Sequence, residues 1–174
     1  MKKKLNILIL LLMLFATFAI SAQEDIFSAA RTNNIKLLND LLVENNDINS
    51  VDERGSTALI VACYNNSYEV AELLLKKGAN PNIQDKMGNT ALMGVCFKRL
   101  DKMVLLLLSH NAAINQRNYN GATALIFAAT FGADSIIKIL FDRGADKTIR
   151  DRFNKTALDH AILQENEIAV QLLK

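Results

Sequence analysis

A repeat of 33 residues is the feature that most constrains how this chain can fold. Similar segments begin at Gly55, Gly88, Gly121 and Asn154, and they read GSTALIVAC, GNTALMGVC, GATALIFAA and NKTALDHAI. Thr-Ala-Leu keeps the same phase in all four. A fixed period of this length is typical of repeat proteins, in which each unit is one supersecondary element. The chain is therefore expected to be an array of stacked units.

Each unit carries the signals of two short helices. A polar residue three positions before the start of each segment can close a tight turn; this column holds Asp52, Asp85, Asn118 and Asp151. The threonine that follows can cap a helix. A break at Asn65-Asn66 or Gly132 then leads to a second apolar segment, and Gly78, Asn111 or Gly144 stands where that helix ends. The predicted unit is turn, helix, turn, helix.

These residues resemble the ankyrin repeat family, whose units carry a Thr-Pro-Leu-His-x-Ala signature and end in Leu-Leu-x-x-Gly-Ala-Asp/Asn. The unit endings here read LLLKKGANPN, LLLSHNAAIN and LFDRGADKTI. The resemblance implies an all-α solenoid of helix-turn-helix repeats, with short turn tips instead of a true sheet. We expect about five units, the first and last being caps, at residues 23–51, 52–84, 85–117, 118–150 and 151–174.

The chain departs from the family signature at two positions. The proline is replaced by Ala58, Ala91, Ala124 and Ala157, and the histidine by Ile60, Met93, Ile126 and Asp159. The hydrogen bonds that the family forms between its threonine and histidine are thereby lost. We expect the array to depend more on packing between units and less on polar contacts between turns.

Residues 1–22 differ in composition from the repeats. Three lysines and an apolar run over residues 5–19 precede a small-residue ending. This order is typical of a secretory signal peptide, with cleavage after Ala22, or as second choice after Ser21, and a mature chain that begins near Gln23. The alternative is an uncleaved anchor, for which the run is short. We expect an exported protein, periplasmic in a two-membrane bacterium and secreted otherwise.

The charge balance argues against a nucleic-acid partner. The full chain has 20 basic and 18 acidic residues, and the signal peptide contains three of the basic ones. The mature chain therefore has 17 basic and 18 acidic residues, a formal charge of −1. A near-neutral domain whose sequence has no basic cluster lacks the electrostatic footprint of nucleic-acid binding. We expect a monomer with no nucleic-acid partner and no membrane insertion after cleavage.

Residues for catalysis are scarce. The sequence contains two histidines and no Gly-x-Ser-x-Gly, His-Glu-x-x-His or phosphate-loop pattern. His110 falls at the end of a predicted helix, where capping is the expected role. His160 follows Asp159, and adjacent residues on a helix point in different directions, so the two cannot form a dyad. We expect no catalytic residues, no metal site and no cofactor.

Cys63 and Cys96 occupy the same column of neighbouring units. A disulfide is one interpretation in an exported protein. Stacked helices lie about 8 to 10 Å apart, however, and the Cα atoms of a disulfide lie within about 7 Å. We therefore favour two buried free thiols.

Stacked units leave a long surface open to a partner. The resemblance implies that turn tips and first helices line a concave groove, where the family binds other proteins. Tip positions hold Glu53, Arg54, Lys86, Met87, Tyr119, Asn120, Arg152 and Phe153; helix-end positions hold Tyr64, Asn65, Phe97, Lys98, Thr130 and Phe131. Aromatic residues mixed with arginine are usual energetic centres of interfaces.

The candidate partner-binding residues are Arg54, Tyr64, Met87, Phe97, Lys98, Tyr119, Asn120, Phe131, Arg152 and Phe153. Packing inside a repeat gives no reason for aromatic rings at these positions, so we interpret them as a binding patch. The alternative is that the rings lie flat against neighbouring units and cover the stack. We expect a non-catalytic protein-binding module, acting as an adaptor, scaffold or protective partner in the cell envelope. A small-ligand or enzymatic module is the alternative, which a closed apolar pocket would favour.

Overall fold

Short helices form the regular structure of residues 25–43 and 47–174, the part of the chain that the computed structural model describes. In that part there are ten of them: α1 Ile26–Thr32, α2 Ile35–Val43, α3 Ala58–Tyr64, α4 Tyr68–Lys76, α5 Ala91–Lys98, α6 Asp101–Ser109, α7 Ala124–Thr130, α8 Asp134–Asp142, α9 Ala157–Leu163 and α10 Glu167–Leu173. An isolated bridge between Val51 and Thr57 is the only strand-like pairing among the described residues. The predicted signal peptide lies outside them.

The helices stack in two rows. Each first helix (α1, α3, α5, α7, α9) packs against the second helix of its own unit and against the first helix of each neighbouring unit. The second helices (α2, α4, α6, α8, α10) pack along the other side. This arrangement confirms the predicted all-α solenoid of helix-turn-helix units.

Threonine capping sets the start of the first helices. In α3, the Thr57 side chain accepts a hydrogen bond from the backbone N–H of Ile60 at 3.2 Å. Thr90, Thr123 and Thr156 form the same bond at the starts of α5, α7 and α9. Asp25 caps α1 through a reciprocal pair of bonds with Ser28. The predicted capping role of the threonines is confirmed.

One left-handed residue separates the two helices of every unit. The residues of this column, each with φ between 53° and 66°, are Asn33, Asn66, Arg99, Gly132 and Glu165. Asparagine and glycine adopt this conformation readily, whereas arginine and glutamate rarely do. The stacked neighbours therefore impose the turn at Arg99 and Glu165 against the preference of those residues.

The core runs without interruption between the two rows of helices. One column of small residues on the first helices is fully buried and lets these helices approach closely: Ala29, Ala62, Val95, Ala128 and Ala161. On the second helices a leucine column, Leu74, Leu107, Leu140 and Leu173, is at most 1% exposed and packs against that layer. A continuous core of this kind makes each unit depend on its neighbours.

Polar contacts between units are more regular than we expected. One asparagine column accepts a backbone N–H from the following unit, in the bonds Asn80 N to Asn49 Oδ1 (2.9 Å), Ala113 N to Asn82 Oδ1 (2.7 Å) and Asp146 N to Asn115 Oδ1 (2.8 Å). The sequence analysis did not predict these bonds, and the expectation that packing contributes more than polar contacts between turns stays a prediction. The asparagine bonds lie in the loops after the second helices. They therefore do not depend on the threonine–histidine bonds that this chain lacks.

His110 and the two cysteines have structural roles. His110 is the C-terminal cap of α6, and its Nδ1 lies 3.1 Å from the Leu106 carbonyl oxygen, which confirms the predicted capping position. Cys63 and Cys96 are free and fully buried. Desolvation by burial raises the pKa of both thiols, and the charge of Asp101 adds to the effect at Cys96. Neither thiol is poised for reaction, because the thiolate is the reactive form.

Candidate partner-binding site

The turn tips share one hydrogen-bond scheme. In the tip of the second unit, Asp52 Oδ1 accepts the backbone N–H groups of Arg54 (2.8 Å) and Ser56 (2.9 Å). Asp52 also donates its own backbone N–H to the Ser56 carbonyl at 3.0 Å. Asp85, Asn118 and Asp151 repeat the scheme in the next three units. The turn-closing role predicted for this column is confirmed.

Backbone hydrogen bonds also join each tip to the next. They are Lys86 N to Arg54 O (3.0 Å), Tyr119 N to Met87 O (3.2 Å) and Arg152 N to Asn120 O (2.8 Å). These bonds place the outermost residues of four successive tips side by side. We call Arg54, Lys86, Met87, Tyr119, Asn120, Arg152 and Phe153 the tip row.

The tip row exposes large apolar side chains. Tyr119 is 71% exposed, Phe153 64% and Met87 61%. The Arg152 guanidinium lies 4.6 Å from the centre of the Phe153 ring, a cation–π contact. Because the backbone beneath these side chains is hydrogen-bonded from tip to tip, the row presents them at fixed positions.

A second group of rings lies on the first helices, with Tyr64, Phe97 and Phe131 at or just after their C-terminal ends and Phe127 in the middle of α7. Ring centres are 6.1 Å apart for Tyr64 and Phe97, 4.6 Å for the edge-to-face pair Phe97 and Phe131, and 6.1 Å for Phe131 and Phe127. We call these four residues the aromatic ladder. Tyr64 and Phe97 are exposed, while Phe127 and Phe131 are half-buried. The ladder extends across three units.

The ladder has a packing role that the sequence analysis missed. The Tyr64 ring lies over Gly94 of α5, where a Cβ atom would stand 3.0 Å from the ring. Burial raises the pKa of the Tyr64 phenol, and the negative charge of Asp85 raises it further. The view that these positions have no packing need for aromatic rings is therefore wrong. The rings cover their neighbours and still leave an exposed surface.

The structure divides the ten candidate residues into two bands. Six of them belong to the tip row: Arg54, Met87, Tyr119, Asn120, Arg152 and Phe153. Tyr64, Phe97 and Phe131 belong to the ladder, and the exposed Lys98 follows Phe97 at the end of α5. Tips precede the first helices, whereas Tyr64, Phe97 and Phe131 lie at or just after their C-terminal ends, so the two bands are separated along the helices. Within residues 25–43 and 47–174, no ring contact joins the two bands.

A hydrogen-bonded histidine–aspartate pair braces the last tip. His160 Nε2 lies 2.7 Å from Asp151 Oδ2, and the two side chains are only 17% and 6% exposed. Asp159 forms a capping box with Thr156 and does not face His160. This agrees with the expectation that neighbours on a helix point in different directions. No pattern in the sequence predicts the pairing of His160 with Asp151, nine residues apart.

The Asp151 carboxylate has a lowered pKa. Desolvation raises this pKa, but bonds from the Lys155 backbone, the His160 side chain and the Phe153 backbone outweigh the desolvation. The pKa of Asp151 is lower in the folded state than in the unfolded state. Asp151 therefore stabilises the fold at pH values above the unfolded aspartate pKa of about 4. That contribution is lost as the pH falls through the lowered pKa.

Asp151→Ala is expected to lower the free energy of unfolding by about 1 to 3 kcal/mol at neutral pH, because it removes a buried acceptor of two backbone N–H groups. Asp151→Asn is the matched control, since Asn118 closes the preceding tip with an amide oxygen. It should cost less than Asp151→Ala and should reduce the loss of stability at acid pH. Urea unfolding at pH 7 and below pH 4 measures both effects; equal losses in the two variants would contradict the bracing role.

Two surface crevices contain no residue of either band, although the first begins directly beyond the helix ends that carry the ladder. One, of about 550 Å³, is lined by residues that include Asn66, Arg99, Asp101 and Asp134 at the starts of the second helices. The other, of about 540 Å³, lies on the last unit beside Ile162 and Val170. In the described part of the chain, no group of three or more His, Cys, Asp or Glu is placed to hold a metal ion. The ten helices of that part all fall short of the length and apolar character that a membrane span requires.

Comparison with known families agrees with the geometry. A family model for ankyrin repeats in three copies matches residues 26–118, 78–151 and 96–174, which together cover all of residues 26–174. A search of curated proteins returned no significant match.

Proposed function

The chain belongs to the ankyrin repeat family, whose members are generic protein-interaction modules, and we propose that it is a non-catalytic module that binds a partner protein across its tip row and aromatic ladder. The observation that carries this proposal is the tip row itself. Backbone hydrogen bonds align four tips, and Met87, Tyr119 and Phe153 project from them into solvent. Methionine, aromatic residues and arginine are the side chains enriched in protein interfaces.

The fixed geometry of the tips favours tight binding. A tip closed by its own aspartate or asparagine and bonded to the next tip loses little conformational entropy when a partner docks. Tyr119 and Phe153 can then bury most of their exposed area without rearrangement of the backbone. Rings held in this way are suited to be the few residues that dominate binding energy.

The shape of the surface supports a protein partner over a small ligand. Small-ligand sites are concave pockets that enclose most of the ligand around a few polar groups. The tip row and ladder are instead exposed bands on an open face, and no residue of either band lines the two crevices described above. The proposal therefore includes no catalytic step and no cofactor.

The proposed setting is the cell envelope or the extracellular space, with the protein acting as an adaptor, scaffold or protective partner. This part rests on the basic head, apolar run and small-residue ending of residues 1–22. Mass spectrometry of the protein purified from its own host is expected to find an amino terminus at Gln23 or one residue earlier. An intact Met1 on membrane-bound protein would disprove the cleavage.

Site-specific photo-crosslinking tests the binding proposal. A photoreactive phenylalanine analogue in place of Tyr119 or Phe153 is expected to form a covalent adduct with one discrete protein in the native host. The same analogue at Lys138, which is exposed on the second-helix side, is the matched control and should form no such adduct. A pattern that is the same at all three positions would mean that the tip row is not the binding surface.

Truncation of single rings measures their contribution to binding. Tyr119→Ala and Phe97→Ala are each expected to weaken binding of the crosslinked partner at least about tenfold, or about 1.4 kcal/mol, because both remove exposed aromatic surface. Leu105→Ala removes a 41% exposed side chain from the second-helix side and serves as the control. Titration of the purified proteins gives the affinities. Full-strength binding by both folded ring variants would contradict the proposal.

A further inference from the structure

We infer that the segment bound by the tip row is acidic: an extended stretch of a partner protein with Asp or Glu side chains around an apolar one. The inference rests on the proposed function, since it concerns the same surface. It identifies the chemistry of the partner, which the family assignment does not give.

The exposed charges of the tips are almost all positive. Over residues 51–56, 84–89, 117–122 and 150–155, the exposed basic side chains are Arg54, Lys86, Arg117, Arg150 and Arg152, whereas Glu53 is the only exposed acidic one. The mature chain has a formal charge of −1, so this excess is local. It is not visible as a cluster in the sequence, because the repeat distributes the cations among separate units.

The tip carboxylates are occupied within their own turns. Oδ1 of Asp52, Asp85 and Asp151 accepts two backbone N–H groups in each case, and all three side chains are partly buried. Asp151 is also paired with His160. These carboxylates therefore support the tips from beneath and do not pair with the exposed cations.

Three of the five cations are available to a partner. Arg117 donates to the carbonyls of Gly121 and Arg150, and Arg150 pairs with Asp159 at 3.7 Å. Arg54, Lys86 and Arg152 form no ion pair with a carboxylate of the described residues. The ring beneath Arg152 orients its planar guanidinium, a group that matches a carboxylate in a two-bond geometry. Unpaired cations beside exposed apolar surface are complementary to an acidic, partly apolar segment.

The spacing of the tips predicts the pattern of the bound segment. Successive units stack about 8 to 10 Å apart, and an extended chain rises about 3.3 Å per residue, so every third residue meets a new tip. The tips of units two, three and five present the unpaired Arg54, Lys86 and Arg152, whereas the outermost residues of the fourth unit's tip, Tyr119 and Asn120, are uncharged and its Arg117 is bonded to backbone carbonyls. The segment that fits has acidic residues opposite the charged tips and an apolar residue opposite Tyr119.

A library of random 16-residue peptides displayed on phage tests the inference, with the full chain as target. Selected peptides are expected to contain Asp and Glu at least about twice as often as the starting library. A selected peptide should bind at least tenfold more weakly to the triple variant Arg54→Glu, Lys86→Glu, Arg152→Glu, and also more weakly at 500 mM than at 50 mM salt. The matched control Lys77→Glu, Lys138→Glu, Arg143→Glu reverses three exposed charges on the second-helix side and should bind within twofold of the parent.

Each outcome decides between the two proposals. Selected peptides that lose binding with Tyr119→Ala but are not acidic, or that bind the triple variant normally, would overturn the inference and leave the proposed function standing. Peptides that ignore Tyr119→Ala would overturn both. Two other polyanions are tested beside the peptide: a single-stranded 20-nucleotide RNA and a phosphatidylserine vesicle. Tighter binding of either one than of the peptide would overturn the inference that the partner of the tip row is an acidic protein segment. If circular dichroism shows the triple glutamate variant unfolded, the corresponding glutamine variant takes its place, with the same expected direction.

Discussion

Leu107→Ala is expected to lower the free energy of unfolding by about 2 to 5 kcal/mol, the range for a large-to-small change in a packed core. Leu107 is 0% exposed in the last turn of α6 and belongs to the buried leucine column that includes Leu74 and Leu140. Leu105→Ala, two residues earlier on the same helix, is the matched control. Leu105 is 41% exposed, so its loss should be within about 0.5 kcal/mol.

Urea unfolding followed by circular dichroism measures both variants. The unit that contains α6 lies inside the stack, so a cavity there weakens its contacts with the units on either side. The large loss at Leu107 is therefore expected to broaden the transition or divide it in two, as neighbouring units uncouple. Equal losses at Leu105 and Leu107 would mean that α6 faces the core with a different side from the one described.

Much of the fold could be predicted because its signals repeat with fixed phase. Threonine caps, turn-closing aspartates and left-handed Gly78, Asn111 and Gly144 each express a local preference of one residue type. Four copies in register turn a weak local preference into a specific prediction of the whole unit. The left-handed Arg99 and Glu165 could not be predicted in this way, because the stack imposes their conformation.

The candidate site could be predicted only as positions. The repeat phase identified which residues lie at tips and helix ends, but the backbone bonds that align the tips are contacts between units. The place of Gly94 under Tyr64 and the edge-to-face contact of Phe97 with Phe131 likewise depend on how one unit lies against the next. Phe127 is the one ladder residue that was absent from the sequence-based candidates. The sequence could have identified it, because it precedes Phe131 by four residues and so lies on the same helix face.

The basic character of the tip row was missed for a similar reason. Charge was counted along the sequence, where Arg54, Lys86 and Arg152 lie in separate units among acidic neighbours. Apart from the exposed Glu53, those neighbours are the turn-closing aspartates, whose side chains accept backbone N–H groups. Only the structure separates carboxylates that serve the turn from cations that face solvent.

Gly88→Asn is expected to lower the free energy of unfolding by about 2 to 4 kcal/mol, because a Cβ there adds steric overlap to the strain of a left-handed backbone. Gly88 has φ +79°, and a Cβ would stand 2.6 Å from the Tyr119 backbone nitrogen. That nitrogen donates the tip-to-tip hydrogen bond to the Met87 carbonyl oxygen. Asparagine tolerates the left-handed region, so the larger part of the loss comes from displacement of the next tip. Asn154 occupies the same column of the last unit with φ 60°, and no later tip packs over it among the described residues.

Gly78→Asn is the control that isolates the overlap from the strain. Gly78 has φ +93° and nothing within 4 Å of its Cβ position, and Asn111 fills that column in the next unit with φ 62°. Its expected loss is about 1 kcal/mol or less. Gly88→Asn should also weaken binding of the selected peptide at least tenfold, because the substitution moves Tyr119 out of the tip row. Gly78→Asn should leave peptide binding unchanged. Comparable stability and affinity in the two variants would show that the tips do not touch at Gly88, and the aligned tip row would then be wrong.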